Sequence, residues 1–328
     1  MITGRLCTDE QLWDEMIHDL GGHPLQLWGW GELKTAHRWR ALRVIFADES
    51  EVVYGAAQIL VRTLPAPFGS FWYVPRGPVC MAGHQQDVYD ALAQYAREHA
   101  KGVVLCIEPD DSVSVPVGRW RRSRTTVLLP RTIILDLTKS ADELQQAMTK
   151  KTRQYIRKSS GEVVVFRKIT TENELEQCLS LYHETADRAG FALHNDQYYR
   201  DVHAYMGESS VVFAAFVDES PVAFVWLAVS AATAFELYGG MNANGQSLRA
   251  NYGLKWHAIT QCQQWGITRY DMNGLLNDGV STFKQGFAAH EDELIGSYDY
   301  PLSPLYAAWT HALPLTKRTI QKIKSLRK

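Results

Sequence analysis

The chain has 328 residues and a 46% hydrophobic content, enough for two ordinary domains with packed cores, and this excludes a disordered protein. Its 34 basic and 36 acidic residues leave a formal net charge of -2, so no overall field draws it to a polyanion and any such affinity must come from local clusters. Cys7, Cys80, Cys106, Cys178 and Cys262 are odd in number and have no close pair of the kind zinc sites need, which reads as buried free thiols in a reducing cytoplasm.

The first residues lack the apolar core of a signal peptide. Thr8 is expected to cap a first helix with Leu12, Trp13 and Ile17 on its apolar face. After Gly21 and Gly22, residues 26–34 read as a short helix ending in Lys34. Alternation predicts a strand over 41–46, a turn at Asp48-Glu49-Ser50 and a returning strand over 52–62. A third strand over 71–74, an amphipathic helix over 85–99 and a buried strand over 103–107 follow, the last closing on Glu108. In the second half, 174–189 is expected to be helical, 211–217 a strand and Asp218-Glu219-Ser220 a second copy of the turn. Strands over 221–229 and 234–238, a helix over 248–266 closed by Gly266, and a strand over 267–272 complete it. The longest charge-free run, 222–235, is too short to span a bilayer, so a soluble protein is expected.

The same element order thus occurs twice, with the two Asp-Glu-Ser turns close to half the chain apart. A repeat of that length implies two copies of one mixed domain, since solenoid periods are much shorter. The order is that of an acetyltransferase-type fold. The expected class is α/β (α+β), with two tandem GNAT-like (acyl-CoA N-acyltransferase-type) domains on mixed, splayed sheets. Domain 1 is expected over 1–147 and domain 2 over 148–304, with the tail 305–328 packing back on domain 1.

Chemistry is expected in the stretch 236–287. It holds Tyr238-Gly239-Gly240, a long helix, a strand ending in Asp271, Asn273 and Gly274 where open sheets bind ligands, and Lys284 between Phe283 and Phe287. Spacing alone leaves bland readings open beside the functional ones. Lys284 also reads as a snorkelling surface lysine, Tyr198 and Tyr238 as half-buried tyrosines, Asp271 and Asn273 as turn caps, and Glu108 as an exposed turn carboxylate. Two basic clusters remain. One holds Lys150, Lys151, Arg153, Arg157 and Lys158; the other spans 317–328, with Ile320, Ile323 and Leu326 at helical spacing. A solvated helix face is the usual meaning of such runs.

Trp28 through Lys34, Thr132-Ile-Ile-Leu-Asp136 followed by the first basic cluster, Tyr238-Gly-Gly240, Tyr270-Asp-Met-Asn-Gly274 and Phe283-Lys284 together resemble the Fem family (FemABX) of non-ribosomal peptidyltransferases. The likeness covers nearly the whole chain and is to the short members without a coiled-coil arm. It implies two tandem acetyltransferase-like domains that use aminoacyl-tRNA to extend the stem peptide of a peptidoglycan precursor, UDP-MurNAc-pentapeptide or lipid II. It further implies that Lys34, Tyr198 and Tyr238 line the precursor groove, and it places Phe283 and Lys284 at the reaction centre. An arginine that the family carries shortly before Tyr198 is replaced here by His194 or Asn195, and a histidine cannot supply a bidentate guanidinium.

Aminoacyl transfer from an ester needs no metal and no cofactor. Lys284 is the expected oxyanion donor, Glu108 a candidate to take the amine proton, and Asp271 and Asn273 are second-tier substrate contacts. Lys150, Lys151, Arg153, Arg157 and Lys158 are candidates for tRNA, and the basic tail for peripheral contact with anionic lipid of the inner membrane surface, the protein being cytoplasmic and monomeric. Three other readings stay open: aminoacylation of a small peptide, an acyl-CoA N-acyltransferase, and a non-catalytic binding module in which Lys284 is dispensable. The second predicts a Gln/Arg-x-x-Gly-x-Gly/Ala loop at a helix start, and Arg249-Ala-Asn-Tyr-Gly253-Leu-Lys255 lacks it.

Overall fold

The structure is a computed structural model and describes residues 1–159, 161, 163–276 and 279–311. The basic tail over 317–328 lies outside the described residues. In chain order the elements begin with β1 (Thr3–Leu6), α1 (Glu10–Asp19), α2 (Trp28–Ala36), β2 (Arg40–Ala47), β3 (Val53–Thr63), β4 (Ser70–Pro75), β5 (Val79–Cys80), α3 (Gln85–His99) and β6 (Val104–Glu108). They continue with β7 (Arg121–Arg122), β8 (Arg131–Thr132), β9 (Ile134–Asp136), α4 (Ala141–Ala147), α5 (Lys150–Ser159), β10 (Val165–Lys168), α6 (Glu172–Ala189) and α7 (Asp196–Met206). β11 (Ser210–Val217), β12 (Ser220–Val229), β13 (Thr233–Met241), α8 (Ala243–Ser247), α9 (Ala250–Gln264), β14 (Arg269–Asp271), α10 (Gly279–Gln285), β15 (Asp292–Glu293) and β16 (Tyr298–Pro301) complete the fold.

Two compact units result. Among the described residues, the first comprises 1–13, 34–128 and 295–311; the second comprises 14–33 and 129–294. The first has the sheet β1-β2-β3-β4-β6-β16-β7, with β4 and β6 parallel and β5 pairing with β3. Its core sets Val88, Leu92 and Ala96 of α3 against Phe46, Ile59, Trp72, Val74 and Ile107 of the sheet. The second has β10-β11-β12-β13-β14-β9, with β13 and β14 parallel. There Leu254, Ala258, Ile259 and Cys262 of α9 cover Phe213, Ala215, Val225, Leu227 and Ala234. Hairpin, strand, helix and parallel strand recur in both, as the repeat in the sequence led one to expect.

The unit boundaries differ from 147/148 and 304/305. Residues 129–147 belong to unit 2 because β9 hydrogen-bonds to β14, pairing Leu135 with Tyr270, and from 295 onward the chain returns to unit 1 because β16 pairs with β6. Residues 14–33 also belong to unit 2. Ser230 Oγ donates to the Gly22 carbonyl at 2.8 Å, and His18 Nδ1 accepts from the Ala231 N–H at 3.1 Å. Gly29 lets α2 approach the last turn of α7, since a Cβ there would lie 2.2 Å from the Tyr205 carbonyl oxygen.

Smaller departures have local causes. Asp9, not Thr8, caps α1 by accepting from the Leu12 N–H at 2.9 Å, and Leu12 is exposed while Trp13 and Ile17 are buried. The two Asp-Glu-Ser turns sit at equivalent hairpins but differ in geometry. Asp218 and Glu219 both have positive φ, as a two-residue type I′ turn between Val217 and Ser220 requires. At the other, Asp48 Oδ1 instead gathers the Ser50 and Val52 N–H groups of a longer loop. Four cysteines are buried and Cys80 is half-buried, all free.

Gly29→Ala is expected to lower unfolding stability by about 1–3 kcal/mol through overpacking against the α7 backbone, read from the urea midpoint; an unchanged midpoint would show that this contact yields freely.

Candidate active site

The site in unit 2 begins where two parallel strands part. β13 and β14 pair only from Thr233 with Arg269 to Phe235 with Asp271, after which β14 ends and β13 runs on along β12. The register of β12 and β13 shifts between Trp226 and Leu227, leaving Leu237 unopposed. Beyond the last pair, the Glu236 carbonyl has no β14 partner, and a buried bare carbonyl is costly. Asn273 meets that need. Its Nδ2 donates to Glu236 O at 2.9 Å, while its own N–H donates to Asp271 Oδ1 at 2.7 Å, an Asx turn that tolerates its φ of 56°. Thr132 Oγ1 also donates to that Asp271 oxygen.

Lys284, near the end of α10, completes the arrangement. Its Nζ donates to the Asn273 carbonyl at 2.7 Å and the Gly274 carbonyl at 3.1 Å, and these oxygens orient the ammonium. Lys284 lies on this short helix, Gly279–Gln285. Phe283 beside it is half-buried and packs edge-on against Tyr252 at 4.8 Å and Phe287 at 5.3 Å.

Beneath lies an ion pair that sequence reasoning missed. Lys255 on α9 is 5% exposed, and its Nζ donates to Glu236 Oε1, which also accepts from Tyr270 OH at 2.7 Å. Burial, and then the Glu236 charge, push the Tyr270 hydroxyl well above its ordinary range. The Lys255 ammonium lies 5.1 Å from the Phe283 ring centre and 5.8 Å from that of Phe287, within cation–π range. One signal could have found this pair. Lys255 falls among the apolar positions Leu254, Ala258 and Ile259 of one helix, Glu236 falls in a buried strand, and two lone charges of opposite sign facing one core must meet.

Tyr198 and Tyr238 are brought together within a ring cluster. They share a hydrogen bond, and burial raises Tyr198 to about 12 and Tyr238 well above its ordinary range. Tyr199 packs edge-on against Tyr238 at 5.1 Å, and the His194 ring stacks on Tyr198 at 4.1 Å. Asn195 is committed elsewhere, as the cap of α7, with Oδ1 accepting from the Tyr198 N–H at 3.0 Å. A guanidinium does stand at the end of β13: Arg188 Nη2 donates to the Met241 carbonyl at 2.9 Å.

α5 exposes Lys150, Lys151, Arg157 and Lys158 and buries Thr152, Ile156 and Ser159. Arg153 departs from that face. Its Nη1 donates to the carbonyls of Gln145 at 3.1 Å and Met148 at 2.6 Å, closing the C-terminal end of α4.

Lys34 and Glu108 belong to unit 1. Lys34 is half-buried in the last turn of α2, where burial lowers its ammonium to about 8. Glu108 is neither an exposed turn carboxylate nor a poised base. It is 1% exposed, and its oxygens accept from Val127 N at 2.8 Å, Leu128 N at 3.0 Å, Ser297 Oγ at 2.6 Å and Tyr73 OH. Four donors occupy the carboxylate, so it fixes the 127–128 backbone against β6, and no proton acceptor is left facing outward.

Lys255→Met is expected to cost about 3–5 kcal/mol of stability because Glu236 is left charged in the core, whereas Lys255→Met with Glu236→Gln should recover much of that loss. Denaturant midpoints of the two variants check this; equal losses would mean the ion pair is not the coupled unit.

Two overlapping stretches of the chain, residues 123–221 and 216–313, match the FemAB family. The aminoacyltransferase FemB of Staphylococcus epidermidis is 33% identical over 73 residues, a match that spans 20% of this chain and 18% of that protein's length. The crystal structure of FemX superposes with a TM-score of 0.82 at 18% identity, over 94% of this chain and 99% of that one. L-PGS of Bacillus licheniformis gives a TM-score of 0.56 at 12% identity, over 93% of this chain and 96% of that one. A tandem GNAT protein from the clavulanic acid biosynthesis pathway gives 0.50 at 10%, over 93% and 99%. These structural likenesses show the fold: two GNAT-like domains on mixed sheets.

Proposed function

This chain belongs to the FemAB family, and from that premise we propose that it is an aminoacyltransferase, moving an amino acid from aminoacyl-tRNA to the side-chain amine of a peptidoglycan precursor, UDP-MurNAc-pentapeptide or lipid II. The observation that carries the reading is the Lys284 ammonium, fixed by two neutral carbonyl oxygens where β13 and β14 part.

In this reading the amine attacks the ester carbonyl and a tetrahedral oxyanion forms. The C–O bond to the ribose then breaks, and the proton lost by the amine matches the one gained by the leaving ribose oxygen. The step is proton-neutral overall and needs neither metal nor cofactor. A positioned donor for the oxyanion contributes about 2.7–4 kcal/mol, which is the part assigned to Lys284; Phe283, held by Tyr252, Phe287 and the Lys255 ammonium, keeps its neighbour in place. Asn273 sets the geometry by bridging the parted strands, and Asp271 holds Asn273.

For the acceptor we assign Lys34 to the diphosphate, Tyr198, Tyr238 and His194 to the groove, and Arg188 as the guanidinium that His194 cannot provide. Lys150, Lys151, Arg157 and Lys158 are the tRNA-facing residues, with Arg153 supporting their helix from behind. Glu108 acts by holding the 127–128 backbone. Two observations weigh against the acyl-CoA reading. The start of α9 carries Arg249 in the left-handed region in place of a glycine-rich loop, and the Glu236 carbonyl, which an extended amide ligand between the parted strands would need, is taken by Asn273. Among the described residues no helix is long and apolar enough to cross a membrane. We assign the reaction to the cytoplasm and to a monomer.

Lys284→Ala is expected to lower single-turnover transfer from charged tRNA to muramyl pentapeptide by at least about two orders of magnitude, with acceptor affinity little changed. Equal rates would sink the oxyanion role; no transfer by either protein, with acceptor still bound, would favour a non-catalytic binding module.

A pH dependence follows from Lys34. Burial holds it near 8, so the free protein carries the phosphate-binding charge below about pH 8 and loses it above. Affinity for the nucleotide-linked acceptor should fall as pH rises past that value, and Lys34→Met should bind more weakly without this limb. Titration calorimetry across the range checks both; identical pH profiles would remove Lys34 from the phosphate site.

A further inference from the structure

In unit 1, the segment that leaves β6 and enters the edge strand β7 has a surface pattern the reverse of an ordinary loop. Val113 is 81% exposed, Val115 48% and Val117 62%, while the residues between them face inward, Ser114 half-buried and Pro116 buried. Chance disorder does not produce such a ridge, because the backbone is held. Asp111 Oδ1 accepts from the N–H groups of Val113 at 2.7 Å and Ser114 at 3.1 Å, and the Val117 N–H donates to Gln86 Oε1 at 3.1 Å. Immediately after the valines come Arg119, Arg121, Arg122 and Arg124, all exposed. Arg119 lies 5.4 Å from the Tyr300 ring, and among the described residues no ion pair engages Arg122 or Arg124.

We propose that this valine–arginine segment docks the protein on an anionic membrane surface, the valines entering the boundary between headgroups and acyl chains and the arginines meeting lipid phosphates. The combination of the two signals selects this occupant. Apolar insertion or cationic attraction alone gives only weak interfacial binding, and their adjacency makes it useful. Single-stranded nucleic acid would reward aromatic platforms, which a valine ridge lacks. A protein interface of ordinary strength seats its aromatic or arginine anchors within a packed apolar centre, whereas here the exposed arginines follow a narrow aliphatic ridge and have no such centre around them. The proposal stands apart from the transfer reaction and uses none of the residues assigned to it.

Flotation of the full chain with vesicles of phosphatidylglycerol and phosphatidylcholine tests it. Wild type should float at low salt with the anionic vesicles and not with phosphatidylcholine alone. The variant Val113→Ser, Val115→Ser, Val117→Ser should partition about tenfold less or weaker still, and Val113→Phe should partition more strongly. Arg122→Gln with Arg124→Gln should lose about fivefold per charge removed and show a shallower salt dependence. Because all these side chains are exposed, thermal midpoints and aminoacyl transfer to a soluble acceptor should not change. Equal flotation of wild type and the triple serine variant overturns the proposal, since membrane contact would then lie elsewhere on the chain. So does an arginine variant that loses tRNA binding while keeping its vesicle binding.

Discussion

Two parallel strands that separate must dispose of the carbonyls and charges they expose, and unit 2 is organised around that requirement. The Glu236 carbonyl is taken by Asn273, whose own carbonyl is taken by Lys284; the Glu236 carboxylate is taken by Lys255 and Tyr270. A buried ion pair does little for net stability compared with a well-packed apolar pair of the same volume. What it does here is fix geometry. The Lys255 ammonium sits under the Phe283 and Phe287 rings, so the ring next to Lys284 rests on a charge that cannot move without exposing Glu236. The same polar chain therefore bridges the parted strands and aims the group that the proposed chemistry needs.

Unit 1 solves the equivalent problem differently. Its parallel strands β4 and β6 stay paired through Pro75 and Glu108, and the carboxylate at that end gathers two backbone N–H groups and two hydroxyls. A carboxylate so fully occupied organises backbone. In unit 2 the strand end is instead open and carries an amide and an ammonium. One fold, used twice, thus gives one end that binds its own loop and one end where an amide and an ammonium bridge the parted strands, and the difference lies in a few side chains.

Much of the fold was legible in the chain. Alternation and helical spacing marked the hairpins at 41–62 and 211–229 and the helices at 85–99 and 248–266, because these elements bury long apolar faces that leave a strong periodic trace. The short strands β1, β7, β9 and β16 left none, since a strand of two to four residues has too few positions to alternate. Missing β9 and β16 also displaced the expected domain boundaries, for these are the strands by which the chain re-enters each sheet. Of the candidate site residues, Lys284, Phe283, Asn273, Tyr198 and Tyr238 stand out from order and resemblance alone. Lys255 was passed over as part of a failed glycine motif. Arg153 and Glu108 were read by their charge, and their hydrogen-bond partners gave them other work.

The order of residues by itself determined that a mixed domain occurs twice, that a lysine follows an aromatic after the last strand of the second copy, and that positive charge gathers on one helix. Periodicity, composition and spacing are local properties, and these conclusions needed nothing more. Only the tertiary structure decided which charges are spent and which are offered. Whether a carboxylate accepts four hydrogen bonds, whether an ammonium lies beneath two rings, and whether three valines face outward depend on residues far apart in the chain arriving at one place, and no window along the sequence contains that information.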